Sequence, residues 1–288
     1  MFDAEFRQRV VPQFSSRRWR YSRLANLVAR NRAVPAARCL TKAAHAWLDA
    51  ADNVQFDMGT NGESRLLTRL AAHAVSVVFD VGANVGDWAE AAAQRLRGAH
   101  VHCFELDEEN RSRLRDRLSS RPGRFTVAPS GLDREAGTVD YDFYPAEPAL
   151  TSILPVPHSS PSERRTTTVV TGDQYVEAAR VDTIDLLKLD VEGAEGRVLE
   201  GFSRTLEQGR IRVIQFEYGL ANVVARCLLA DLYARLAPHG YSLGRLFPDG
   251  VEFRPYDVTS ESFRGGNFVA VRPSEAALAR ALAAPTRR

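Results

Sequence analysis

Cysteine is scarce and scattered: Cys39, Cys103 and Cys227 are odd in number, far apart and in no CxxC spacing. That argues against a disulfide framework or a structural zinc site, and a reducing cytoplasm fits best. Long apolar runs are also missing. None approaches the roughly 20 residues that span a bilayer, and the first residues lack the apolar stretch of a secretory signal, so no membrane partner is expected. An excess of one charge is absent too, since 38 basic residues face 36 acidic ones for a net +2. No global field then draws the chain to nucleic acid or to an anionic membrane. No internal repeat is visible.

The remaining composition, 44% hydrophobic and 26% charged over 288 residues, is that of a globular protein with one large domain and an appendage. The appendage is residues 1–60, a helical N-terminal extension. It is locally basic, with Arg7, Arg9, Arg17, Arg18, Arg20, Arg23, Arg30, Arg32, Arg38 and Lys42 against Asp3, Glu5 and Asp49 in its first fifty residues. An Arg-rich start has the make-up of a transit peptide, but Asp3, Glu5, Trp19 and Tyr21 speak for a folded segment. Apolar residues from Trp19 to Leu48 recur at helical spacing and are interrupted at Pro35, which predicts two or three amphipathic helices with the arginines as their solvated face. Such a segment either caps a site or joins two subunits into a homodimer.

Residues 61–288 alternate strand and helix signals. Strands are expected at 75–80, 100–105, 124–128, 184–190, 212–217, 241–247 and 267–272, and helices at 63–73, 88–96, 110–118, 193–200 and 226–237. This rhythm predicts an α/β fold, a doubly wound and mostly parallel sheet covered on both faces. The last two strands read as a hairpin joined through 248–266, and the Ala-rich tail after Pro273 as a short helix that frays. A Pro- and Ser-rich stretch at 144–168 interrupts the rhythm as a long loop, either a lid or a surface insertion without a role.

The sharpest local feature is Asp80-Val-Gly-Ala-Asn-Val-Gly86, where the first strand meets its helix. Gly82 and Gly86 allow close backbone approach to a ligand at the carboxyl end of a strand. The turn completes neither the dinucleotide nor the triphosphate fingerprint. Asp80 would repel a pyrophosphate and suits a cationic group such as a sulfonium or an amine. About twenty residues on, Glu105 ends the next strand at the offset where an acid accepts hydrogen bonds from ribose hydroxyls. In Lys188-Leu-Asp190-Val-Glu192-Gly193-Ala194-Glu195, strand alternation puts Lys188 and Asp190 on one face, as a structural ion pair or a functional one. Glu217 adds a carboxylate at the same sheet edge.

With these two motifs the chain resembles the FkbM-type methyltransferase family over roughly residues 61–271, including Asn61-Gly-Glu63, Gln215-Phe-Glu-Tyr218 and Gly266-Asn-Phe268. The resemblance implies a Rossmann-like class I methyltransferase sheet of seven strands, the last antiparallel. It implies S-adenosylmethionine-dependent O-methylation of a hydroxylated small molecule, a sugar or a polyketide-type secondary metabolite. It also implies that Gly82, Ala83 and Gly86 wrap the methionine part of the cofactor, that Asp80 and Asn84 fix the turn and its amino group, and that Glu105 holds the ribose. Glu63 and Asp190 join this cofactor set, and Ser130 and Gly131 stand at the adenine, with Asp133 slightly late for the acid often found there.

The substrate hydroxyl needs a base, and the candidates are Asp190, Glu192, Glu217 and His158, with Asp190 and Glu192 ranked first. The first three acids are alternatively oxygen ligands for Mg²⁺, which would acidify the hydroxyl. Three other classes stay open at this stage. An NAD(P)-dependent oxidoreductase explains the Gly turn but not the Lys188 motif. A nucleic-acid or protein methyltransferase is the second; the nucleic-acid form would use the N-terminal arginines but lacks an Asn-Pro-Pro-Tyr type motif. A non-catalytic cofactor-binding partner protein would show no turnover. Arg and Ala richness points to a GC-rich bacterial genome.

Overall fold

The computed structural model describes residues 22–156 and 158–285. The arginines at 7, 9, 17, 18 and 20, and the expected helix around Trp19 and Tyr21, lie outside the described residues.

Eight strands form the main sheet. In spatial order they are β3 (Phe125–Val127), β2 (His100–Phe104), β1 (Val77–Val81), β7 (Ile184–Leu189), β8 (Ile211–Glu217), β11 (Asn267–Val271), β9 (Ser242–Phe247) and β10 (Gly250–Phe253). The first five run parallel, and β11 is antiparallel to both β8 and β9. The chain builds outward from β1 to β3, then returns to place β7 on the other side of β1. The crevice between β1 and β7 is therefore the switch point where ligands bind in open α/β sheets. Every residue of β7 is buried, as an interior parallel strand requires.

Alternation divides the core in two. Phe79, Val81, Leu187 and Ile214 face one helical layer, whereas Val78, Leu186 and Val213 face the other, which carries Leu66, Leu67 and Trp88. Asp80, Lys188 and Gln215 stand in register across β1, β7 and β8. Sequence parity puts them on the Val78 side, as a polar row within that second layer.

Several expectations need correction. The connection at 248–266 contains β10, which pairs with β9 and adds an eighth strand to the expected seven. Gly-Val-Glu-Phe is too short to display a period. The stretch 144–168 is not all loop, because β6 (Glu163–Val170) pairs with β5 (Gly137–Phe143) and with β4 (Gly131–Leu132) in a second, three-stranded sheet. Its outward Arg and Thr residues hide it from a search for apolar alternation. The loop proper is 144–162, pinned by a bridge between Asp142 and Ser152.

The short helix expected after Pro273 is packed rather than frayed. Leu278 and Leu282 of the helix Ala276–Leu282 are buried, and Arg69 donates to the carbonyls of Leu282 and Ala283. Pro35 opens the helix Pro35–Ala51 instead of interrupting one, since a first-turn position needs no N–H donor. No residue of that helix is buried, and its end is tied to the body by ion pairs from Arg264 to Asp49 and Asp52. The expected helix at 226–237 begins at Leu229, after a short helix Ala221–Ala225 and a left-handed Arg226. No helix among the described residues is long and apolar enough to cross a membrane.

Candidate active site

The turn after β1 folds back against the end of β7. Gly82 has φ +83°, and a Cβ there would lie 1.7 Å from the carbonyl oxygen of Asp190, so only glycine fits. The amides of Gly82 and Ala83 both donate to the Phe104 carbonyl at 2.9 Å, which stitches the turn to β2. Asn84 takes a left-handed φ of 46°, and its amide donates to Glu105 Oε2 at 2.9 Å. The other carboxylate oxygen accepts from the Asp107 amide at 3.0 Å. Burial pushes the Glu105 pKa up, against the lowering effect of these amide bonds. Gly86 packs its bare Cα against Leu114 and starts the helix Asp87–Arg95.

Beneath the turn, Lys188 Nζ donates to Asp80 Oδ1 at 3.3 Å and to Asp190 Oδ2 at 3.1 Å. The expected Lys188–Asp190 pair is thus part of a bridge between β1 and β7. Burial opposes the charge on Lys188, but Asp190, Asp80 and Glu63 together hold its pKa well above the usual lysine range. Burial raises Asp80, with Lys188 acting against it. Glu63 closes the polar row: its carboxylate accepts from Asn61 Nδ2 at 2.9 Å and from Gln215 Nε2 at 2.5 Å.

The turn from Asp190 to Glu195 gathers acids. Glu192 has φ 50° and Gly193 has φ 95°, and Glu195 Oε1 clamps this bend by accepting from the amides of Val191 at 3.1 Å and Gly193 at 3.3 Å. Burial, followed by the neighbouring charges of Asp190 and Glu195, pushes Glu192 up to about 8. Burial likewise takes Glu195 to about 7. Glu217 is raised well above the carboxylate range by burial, then by Asp190, Glu192 and Glu195, and it hydrogen-bonds to Asp190. Lys188 thus meets Asp190 from one side, and Glu217, whose neutral form burial favours, meets it from the other.

Gly82, Asn84, Glu105, Gly131 and Asp190 line one cleft, together with Phe104, Leu106 and Leu132. Its roof is the loop 144–162, which supplies Pro148, Ala149, Thr151 and Ile153 and is fastened where Ser152 Oγ donates to the Glu192 carbonyl at 3.2 Å. Asp80, Ala83, Gly86 and Glu63 support this cleft without lining it, and Ser130 is buried next to Gly131. Glu192 and Glu217 flank Asp190 without lining it either. His158 packs edge-on against Tyr144, 4.9 Å between ring centroids, and does not line the cleft. Asp133 is taken up by a bidentate pair with Arg197, so it is no free acid for a ligand.

Asp190, Glu192 and Glu217 do not converge as ligands for Mg²⁺, because Asp190 turns to Lys188 and Glu217 to Asp190. Among the described residues no group of three or more His, Cys, Asp or Glu side chains is placed to hold a metal ion. Sequence reasoning missed the Glu195 clamp, which its place two residues beyond Gly193 could have signalled. Of the two readings of the Pro-rich stretch, the lid is the one that fits Pro148, Ala149, Thr151 and Ile153 on the cleft, although proline spacing could not say which residues would face it.

The family model for the methyltransferase FkbM domain matches residues 80–243, more than half of the chain. The hexuronic acid methyltransferase AglP of Haloferax volcanii is 28% identical over 144 residues, covering 50% of this chain and 57% of AglP. The 2-O-methyltransferase NoeI of Sinorhizobium fredii is 29% identical over 191 residues, covering 61% of this chain and 76% of NoeI. The chain thus spans little more than half of AglP. A crystal structure of methyltransferase FkbM from Methylobacillus flagellatus is 17% identical with a TM-score of 0.45, over 68% of this chain and 43% of that one. On the family match and the motifs at residues 80–86 and 187–195 that fall within it, this chain belongs to the FkbM methyltransferase family.

Proposed function

We propose that this chain is an S-adenosylmethionine-dependent O-methyltransferase acting on a hydroxyl of a small molecule, with a sugar as the preferred class. One observation carries the reading: the Gly82 turn, Glu105 and Asp190 line a single roofed cleft at the β1–β7 switch point. The name of AglP supports a sugar acid as acceptor, and that of NoeI supports methylation on oxygen. Three cysteines without disulfide partners support a reducing cytoplasm as its setting.

The cleft fits the cofactor on its own evidence. Asn84 Oδ1, on the cleft wall, is a buried polar atom that no group among the described residues satisfies, and Gly82 and Gly131 bring bare backbone to the cleft because a Cβ at either would strike Asp190 or Leu106. Asn84, with the Gly82–Gly86 turn that Asp80 supports from beneath, would hold the amino acid part, Glu105 the ribose hydroxyls, and Gly131 and Leu132 with Leu106 the base. S-adenosylmethionine supplies an electrophilic methyl group on a sulfonium.

The chain's own residues then have three tasks. Glu105 and the turn fix the donor, so that the acceptor hydroxyl needs only to be aligned. Pro148, Ala149 and Ile153 exclude water above it. Glu192, beside Asp190 at the edge of the cleft, takes the hydroxyl proton: burial raises its carboxyl to about 8, whereas Asp190 is already engaged by Lys188. Asp190 and Glu217 position that turn.

The direct test is transfer of a labelled methyl group from S-adenosylmethionine to free sugars and glycosides; absence of transfer to every hydroxylated acceptor would count against the reading. Glu192 adds a pH prediction. The rate should rise with pH and level off above about 8. Glu192→Gln should lower kcat by about 10²–10³-fold and remove that rise. The same acid keeps in the fold a proton that the unfolded chain loses near 4.5, so its contribution to stability falls as pH climbs from about 4.5 to about 8. Denaturant melts at pH 5 and pH 8 should differ less in Glu192→Gln than in the parent.

A further inference from the structure

Beside the roofed cleft lies a second and larger one of about 540 Å³. The two share a wall. Asp190, Val191 and Ala194 face the first, while Gly193, Gly196 and Arg197 face the second, and the loop contributes Ile153 to one and Leu154 to the other. Four arginines line this second space, Arg134, Arg197, Arg226 and Arg235, against the acids Glu200 and Asp231.

Their states differ in an instructive way. Arg197 is locked by the buried Asp133, with bonds of 2.8 and 2.5 Å, and Arg235 is paired with Glu200. Asp231 is occupied in accepting the Leu228 amide at 2.8 Å. Arg226 stands exposed on a left-handed turn with no ion pair among the described residues, and Arg134 reaches only the exposed Glu135, at 3.9 Å. The fixed arginines are neutralised from behind, whereas the rim carries Arg226, without an ion pair among the described residues, and Arg134, whose contact with Glu135 is long and exposed. Guanidinium groups present planar forks suited to carboxylate and phosphate oxygens.

We propose that this second cleft is the acceptor subsite, and that it selects acceptors carrying an anionic group, a sugar carboxylate or phosphate, which Arg226 and Arg134 bind. Resting on the O-methyltransferase reading, the proposal places an acceptor across the Asp190–Ala194 wall, with its anion at the arginine rim and a hydroxyl toward Glu192. An acceptor held at one end by charge presents its hydroxyl in a fixed register, which is how remote binding contributes to the chemical step.

The test is calorimetric titration of the full chain, with S-adenosylhomocysteine present, using D-glucuronate, D-glucose 1-phosphate and neutral D-glucose as probes. At least one anionic probe should bind about tenfold or more tighter than glucose, and Arg226→Gln and Arg134→Gln should each remove most of that advantage. The better of the two anionic probes identifies carboxylate or phosphate as the group read. Both variants replace exposed side chains, and melting curves with unchanged midpoints would establish that they fold. Equal binding of glucose, binding of no anionic probe, or an advantage that survives in both variants would overturn the proposal. Titration of S-adenosylhomocysteine alone separates the two claims: an intact cofactor isotherm with no anion preference sinks only the subsite, whereas a missing isotherm sinks the methyltransferase reading.

Discussion

Gly82→Ala should lower folding stability by about 2–5 kcal/mol and abolish measurable binding of S-adenosylhomocysteine. A β-carbon there would sit 1.7 Å from the Asp190 carbonyl oxygen, a backbone atom that cannot turn aside as a side chain could. The residue also holds φ +83°, which an L side chain adopts only with strain. Relief requires β1 and β7 to part at their carboxyl ends, the place where the Gly82 and Ala83 amides reach Phe104 and the Asp190 amide reaches Val81. Gly137→Ala is the control, because nothing lies within 4 Å of a Cβ at that position. Denaturant unfolding and ligand titration of both variants measure the two effects separately, and a Gly82→Ala protein as stable and as ligand-competent as Gly137→Ala would refute the close packing of turn and strand.

Lys188→Met should cost about 3–5 kcal/mol of stability, the range for removing one member of a buried ion pair. The lysine is nearly inaccessible, with 6% of its side chain exposed beside a fully buried Asp80, so water cannot replace the lost ammonium. Asp80 must then take up a proton to stay in place. The variant's deficit should therefore grow with pH, since a carboxyl kept protonated in the fold is ionised more readily in the unfolded chain. Lys188→Met combined with Asp80→Asn should recover part of the loss, because the second change removes the uncompensated charge. Chemical denaturation of the single and double variants at pH 5 and pH 8 checks this. A Lys188→Met deficit below about 1 kcal/mol, the level of a surface pair, would contradict the bridging role.

The main sheet was largely legible in the sequence for a physical reason. Val77–Val81 reads as an apolar, β-branched run broken only by Asp80, and Ile184–Leu189 as a buried, mostly apolar run that leads to Asp190. The Gly turn was legible because close backbone approach at 82 and the tight entry to a helix at 86 demand glycine. Less visible were the elements held by partners distant in the chain. β10 is defined by pairing with β9, and the β4–β6–β5 sheet has an exposed face of Arg, Asp and Thr with no apolar alternation. His158 and Asp133 show the limit for side chains: a histidine in a Pro-rich loop finds Tyr144, and an acid near the expected adenine position finds Arg197. Pairings across 14 or 64 residues leave no local trace, and the arginine-lined cleft, assembled from residues 134–235, leaves none either.

Glu105 offers the most direct test of the cofactor reading, since its two oxygens tie the Asn84 turn to the end of β2 at the cleft wall. Calorimetric titration with S-adenosylhomocysteine, run beside NAD and NADP, should give a one-site isotherm for the parent protein with that ligand only. Glu105→Ala should weaken it by about 100-fold, as the loss of two hydrogen bonds to a charged acceptor implies. Binding of a nicotinamide nucleotide instead, or of none of the three by the parent protein, would contradict the assignment of the β1–β7 cleft to S-adenosylmethionine.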